Sequence, residues 1–159
     1  MIYEILSNEY VFRFEIPLKA NLAKVWNYVS DTDRANQILG EPSIEYEDYP
    51  EERGGSRKEG KQKNTGFTLK FKELSPEWIE EKYFQIVREH TEGPLKRFIH
   101  RIDLIEKDEA IILKNTIRVI LRWKLVAPIN VAKFHLDVIP RYKKYYKDIE
   151  SIPYNNYNL

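Results

Sequence analysis

The sequence predicts an α+β fold in which a curved antiparallel sheet wraps around one long C-terminal helix. Three observations predict it. An alternating apolar stretch at Val11–Pro17 gives way to a short stretch of helical spacing at Leu22–Val29. A long series of alternating stretches then runs to Trp123, with only short turns between them. A single apolar stripe at helical spacing, from Ala127 to Ile152, closes the chain. Such an arrangement tends to enclose a cavity between sheet and helix.

Each element has its own signal. In Val11–Pro17, Phe12, Phe14 and Ile16 point one way, and Arg13 and Glu15 the other, as in a half-buried strand. Asn21 is a candidate N-cap for a helix carrying Leu22, Val25, Trp26 and Val29. Asp31 or Asp33 is expected to start a second short helix with Ile38 and Leu39, stopped by Gly40 and Pro42. Ile44 and Tyr46 mark a short strand. Glu51 to Gly66 is polar and charged, with Gly54, Gly55 and Gly60, and reads as a hairpin region with exposed, mobile edges. Phe67, Leu69 and Phe71 define the next strand. After a turn at Ser75-Pro76-Glu77, Trp78 to Glu89 reads as one strand whose inward parity the pattern leaves open.

Glu92-Gly93-Pro94 turns the chain again. Phe98, His100, Ile102 and Leu104 then share one face. After Lys107-Asp108-Glu109, so do Ile111, Leu113, Asn115, Ile117, Val119, Leu121 and Trp123. Short connections make these strands antiparallel neighbours. In the last segment Ala127, Val131, Phe134, Val138, Tyr142, Tyr145, Ile149 and Ile152 recur every three or four residues. Pro128 suits the first turn of this helix. Pro140 lies inside it and predicts a kink, because it has no N–H and its ring crowds the preceding turn. Pro153 ends the helix. Residues 1–153 form one expected domain, and 154–159 an expected disordered tail.

Composition narrows the function. The 159 residues are 42% hydrophobic and 32% charged, with a formal net charge of +1. That balance gives no overall footprint for nucleic acid or for an anionic membrane. There is no cysteine, so disulfides, thiolate nucleophiles and cysteine-held zinc are excluded. Met1-Ile2-Tyr3-Glu4 lacks a basic region followed by an apolar core, and no apolar run nears the roughly 20 residues that span a bilayer. A soluble cytoplasmic protein is expected, with no cofactor, no nucleic-acid partner and no stable membrane insertion.

Chemical motifs are sparse. Gly55-Ser56-Arg57-Lys58-Glu59-Gly60-Lys61 nearly matches a phosphate-binding loop, but Gln62 stands where Ser or Thr would hold magnesium. His90, His100 and His135 have no metal-ligand spacing, so no metal site is expected. His100 is placed inward by its parity, whereas His90 reads as a solvated strand end and His135 as a flank of the helix stripe. Asn115 is the one strongly polar residue on the inner face of the last strand and must find a partner there. Arg88, Glu89 and Arg97 flank the Gly93-Pro94 turn. They are read first as a surface ion pair, and second as an arginine turned inward toward a ligand's acidic head. The basic run Arg141, Lys143, Lys144 and Lys147 is read as the solvated side of the helix.

Phe14-Glu15-Ile16-Pro17 and Ala23-Lys24-Val25-Trp26-Asn27-Tyr28-Val29-Ser30-Asp31 carry a further signal. With Trp78-Ile79-Glu80, Phe84, Val87-Arg88-Glu89 and Gly93-Pro94-Leu95, they resemble bacterial single-domain members of the START-like superfamily of polyketide cyclases and lipid-transfer proteins. The likeness covers roughly residues 10 to 150. It implies a helix-grip fold: a seven-stranded antiparallel sheet around the C-terminal helix, two short helices after strand 1, and a deep pocket for an apolar molecule. The expected function is therefore binding or transport of a small hydrophobic ligand that is lipid-like, polyketide or aromatic. Inward parity assigns the pocket walls to Phe71, Tyr83, Phe98, His100, Asn115, Ile117, Phe134, Val138 and Tyr142. One alternative is a cyclase or dehydratase with His100 as base and Asn115 or Tyr83 orienting an enolate oxygen, although no recognisable acid–base set is present. Another is a regulatory domain that meets a protein partner through Glu51 to Gly66.

Overall fold

A computed structural model describes residues 2–6, 8–32, 36, 44–50, 56–64, 67–123 and 127–151. The chain opens with a hairpin, β1 (Ile2–Leu6) pairing antiparallel with β2 (Glu9–Leu18). Helix α1 (Leu22–Ser30) follows at once, because Asn21 caps it: its Oδ1 accepts from the Ala23 N–H at 2.9 Å and the Lys24 N–H at 3.4 Å. Thr32 and Asn36 are helical, but the rest of the expected second helix, with Ile38, Leu39, Gly40 and Pro42, lies outside the described residues.

Seven strands come next. They are β3 (Ile44–Pro50), β4 (Ser56–Asn64), β5 (Phe67–Glu73), β6 (Glu77–Ile79), β7 (Tyr83–Glu92), β8 (Leu95–Lys107) and β9 (Ala110–Leu121). The chain closes with α2 (Ala127–Lys133), a π-helical turn (Phe134–Val138) and α3 (Ile139–Ser151), which run on without a break.

All strand pairs are antiparallel, and the main sheet order is β1-β2-β9-β8-β7-β5-β4-β3, with β6 paired to β7 beside it. Among the described residues the sheet thus has nine strands where seven were expected. One addition is β1, whose Ile2-Tyr3-Glu4-Ile5-Leu6 has no clean two-residue alternation to announce it. The other arises because Trp78–Glu89 is two strands. Glu80-Glu81-Lys82 interrupts the apolar pattern, and Glu81 takes a left-handed φ of 57° to turn the chain. The polar Glu51–Gly66 region contains β4, which pairs with β3 on one side and β5 on the other. Residues 51–55 and 65–66 lie outside the described residues, as does the 154–159 tail.

The inner face of the sheet is read from the register. Phe12, Phe14 and Ile16 of β2 stand opposite Ile117, Asn115 and Leu113 of β9, which stand opposite His100, Ile102 and Leu104 of β8. These residues are buried and pack with Val25, Trp26 and Val29 of α1 and with Ile139, Tyr145, Tyr146 and Ile149 of α3. Burying such side chains contributes about 25 cal/mol per Å² of apolar surface removed from water.

Polar ties fix the helix over this core. The Tyr145 hydroxyl donates to the Tyr28 carbonyl at 3.1 Å, Lys147 Nζ donates to the Pro17 carbonyl at 2.6 Å, and Glu150 accepts from the Lys19 N–H at 2.7 Å.

The disturbance expected at Pro140 takes the form of the π-helical turn. The Ile139 N–H reaches back five residues to the Phe134 carbonyl, so the widest turn of the helix lies directly ahead of the proline. The extra residue also rotates the buried face. Val131 before the π-helical turn and Phe134 and Val138 within it are half-buried, whereas Ile139, Tyr145, Tyr146 and Ile149 after it are buried.

Candidate functional site

The interior is closed at one end of the sheet and open at the other. Beneath α3 the space is filled. Toward β4, β5 and β7 a pocket of about 140 Å³ remains between the inner face and the closing helix. Leu69 and Phe71 of β5 and Phe98 of β8 form its apolar floor, with Phe134, Val138 and Tyr142 of the helix as its roof. Gln62, Arg88 and His90 add a polar wall.

Local sequence explains the shape. Phe71 of β5 stands opposite Gly60 of β4, and a Cβ on Gly60 would come within 2.4 Å of the Phe71 ring. The absent side chain lets that ring lie across β4 and leaves the neighbouring space open. The hairpin between β7 and β8 turns at Gly93, whose φ of +91° suits glycine.

Arg88 faces inward on β7. Its Nε donates to Glu73 Oε2 at 2.7 Å and its Nη2 to the Tyr46 hydroxyl at 3.2 Å, while the guanidinium lies 4.9 Å from the centre of the Phe71 ring. The Tyr46 hydroxyl also donates to Glu73 Oε2 at 3.1 Å. Burial acts to lower the Arg88 pKa, but Glu73 and Tyr46 outweigh it and the net shift is upward. The inward arginine therefore finds an acidic partner inside the protein. Its neighbours Glu89 and Arg97 make the expected surface pair at 3.7 Å.

His90, next inward on the same strand, stands opposite Phe71 with ring centroids 5.3 Å apart. It is 6% exposed, and neither ring nitrogen has a hydrogen-bond partner among the described residues. Burial, and then the charges of Arg88 and Arg122, lower its pKa from 6.5 to about 4, so the ring is neutral at neutral pH. The expectation of a solvated strand end is overturned. The pairing of β7 with β5 and β8 encloses a residue that is flanked in sequence by Glu89 and Thr91.

The nine residues expected to wall a pocket fall into three groups. Phe71, Phe98, Phe134, Val138 and Tyr142 line the pocket. His100, Asn115 and Ile117 are inward and buried but lie in the packed core beside it. Tyr83 is on the other face of the sheet: it alternates with buried Phe84, and its ring lies 4.0 Å from the Arg101 guanidinium, which pairs with Asp103. The break at Glu80–Lys82 sets this parity.

His100 is a structural histidine in this arrangement. Its Nε2 meets Asn115 Oδ1 at 3.1 Å, and Tyr142 packs edge-on against its ring at 5.0 Å. Burial lowers its pKa to about 4, the Asn115 bond opposing and Arg88 adding to the shift. The mutual partnership satisfies both polar groups in the core. Of the two groups expected to orient an enolate oxygen beside His100, Tyr83 is on the opposite face, and Asn115 is adjacent but occupied by His100 itself.

Three further expectations concern charged groups. Arg141, Lys144 and Lys147 form surface pairs with Asp137, Asp148 and Glu150, as a solvated face should. Ser56 to Lys61 of the near phosphate-loop match is β-strand, so no helix N-terminus follows it. Among the described residues there is no cluster of metal-ligating side chains and no helix long and apolar enough to cross a membrane.

Solved structures of the same architecture exist. An aromatase/cyclase from a Streptomyces species superimposes with a TM-score of 0.64 at 11% identity, over 87% of this chain and 91% of that one. Ara h 8.0201 matches at 0.58 and 18%, over 90% and 96%. A truncated norcoclaurine synthase from Thalictrum flavum matches at 0.57 and 14%, over 90% and 96%. This is the helix-grip fold. At these identities the likeness establishes the helix-grip architecture expected from the sequence resemblance and leaves the chemistry to the chain's own residues. No family model matches the sequence, and no curated protein is similar to it in sequence.

Proposed function

We propose that this helix-grip protein binds a small, largely apolar molecule of single-ring size between β5, β7, β8 and the closing helix. The observation that supports it most is the pocket itself. Beneath α3 the inner face is closed by buried side chains, yet here about 140 Å³ stays open behind a mostly apolar wall. An engineered apolar cavity of about 150 Å³ takes up benzene. Pockets for drug-sized ligands start at about 300 Å³. The volume thus favours one ring over an extended lipid or a fused polyketide.

Binding is favoured over catalysis by the state of the two inward histidines. His100 is engaged by Asn115, and His90, at a pKa of about 4, is a weak base at neutral pH.

Native mass spectrometry of gently purified protein, with a thermal melt in saturating toluene, tests the proposal. A co-purified small molecule, or a toluene-induced rise in Tm of a few degrees, is the expected result. A bare mass together with an unchanged Tm would contradict it.

A further inference from the structure

One polar side chain on the pocket wall is buried without a partner. His90 is 6% exposed, and both Nδ1 and Nε2 lack a hydrogen bond among the described residues. Buried polar groups are satisfied in the great majority of cases, so an orphaned ring beside an open pocket points to something that fills the pocket. The same sheet shows what satisfaction looks like. His100, inward on the neighbouring strand, has Asn115 at 3.1 Å.

We propose that the occupant carries an uncharged hydroxyl on its ring, as a phenol does, and that this hydroxyl meets the His90 imidazole while the ring packs among Phe71, Phe98 and Tyr142. The inference rests on the binding reading above and names the chemistry of the ligand.

The charges around His90 favour a neutral head group. Arg88, on the same strand, is committed to Glu73 of β5 and to Tyr46 of β3. Arg122, beyond β9, spends its guanidinium on the carbonyls of His90, Thr91 and Gly93. Lys133 of α2 touches the pocket from an exposed position, and Tyr142 of α3 is the remaining titratable group on the roof. Among the described residues, the buried cations beside the pocket are thus committed, and Lys133 is left at its exposed edge.

A neutral imidazole offers one N–H and one acceptor nitrogen, and a hydroxyl can serve either. A phenol, with a pKa near 10, brings that group uncharged at neutral pH. Its apolar ring suits the rest of the wall.

Isothermal titration of the full chain at pH 7 with phenol, toluene and benzoate tests this, alongside His90→Leu. Phenol should bind about tenfold more tightly than toluene, the worth of one net hydrogen bond to an otherwise unsatisfied group. In His90→Leu, the preference for phenol over toluene should disappear, the ratio of the two affinities falling about tenfold. A second readout needs no variant: in ¹⁵N spectra of the wild type, phenol should shift the His90 ring nitrogens and toluene should not. Equal affinity for phenol and toluene, with no His90 shift, would overturn the hydroxyl while leaving the apolar pocket standing. Benzoate as the tightest ligand would overturn it in favour of an anion. Binding of none of the three would remove the pocket reading as well.

Discussion

Two histidines face the interior from adjacent strands, and they have opposite fates. His100 on β8 sits among Ile117, Phe98 and Tyr142 with its Nε2 on Asn115, in a region packed solid by β2, β9 and α3. His90 on β7 sits near the β4–β5 side, beside an open pocket, with no hydrogen-bond partner among the described residues. Both are neutral, with pKa values lowered to about 4 mainly by burial. The contrast shows that the sheet has two working halves. One half uses its inner face to hold the closing helix, and there the polar side chains His100 and Asn115 answer each other. The other is kept open by Gly60 and by inward polar residues where apolar ones would have closed it.

The largest expected effect comes from pH. Both histidines have folded pKa values near 4 against an ordinary 6.5, so the unfolded chain binds more protons than the folded one between those limits. Stability is therefore full above about pH 6.5 and falls as pH drops toward 4, by about 3 kcal/mol for each histidine. Urea unfolding of wild type and His90→Leu across this range checks it. The variant should lose about half of the histidine-dependent slope, and identical slopes would mean that His90 is not buried in solution.

Next in size is the Arg88–Glu73 pair, both of whose side chains are mostly buried. Arg88→Met strands a buried carboxylate and should cost about 3 kcal/mol or more in urea unfolding. Adding Glu73→Leu should restore most of that loss. A double variant no better than the single one would deny the coupling.

The packed and open halves should also differ when the same residue type is truncated. Leu113→Ala, in the closed core, is expected to cost about 4 kcal/mol. Leu69→Ala, already facing the pocket, is expected to cost about 2 kcal/mol, the low end for this substitution. Equal costs would erase the distinction between the halves. The smallest change in stability, about 1 kcal/mol, is expected for Gly60→Ala, whose Cβ would press on the Phe71 ring and on Ile44 Cγ2. Its signature is functional: the displaced ring should weaken toluene binding measured by titration, and unaltered binding would separate Phe71 from the site.

Much of the fold was legible where alternation ran unbroken. The inward sets of β2, β8 and β9 follow directly from Phe12 to Ile16, Phe98 to Leu104 and Ile111 to Leu121, and the final stripe announced the closing helix. Local pattern failed where three charged residues hid a turn, so Tyr83 was placed on the wrong face and β6 was merged with β7. The site was legible in part. Phe71, Phe98, Phe134, Val138 and Tyr142 could be placed because apolar side chains obey parity. Arg88 and His90 obey the same parity, but flanking charges made them look solvated. Only the pairing of β7 with β5, distant in sequence, encloses them. The role of Gly60 is likewise invisible without its cross-strand partner Phe71.

The most direct test of an open, ring-sized pocket is a crystal structure of the protein grown with bromobenzene. The account predicts anomalous density for bromine among Phe71, Phe98 and Tyr142, with Gly60 and His90 undisturbed. Absence of bromine there, with the Phe71 or Tyr142 ring swung in to fill the space, would contradict it.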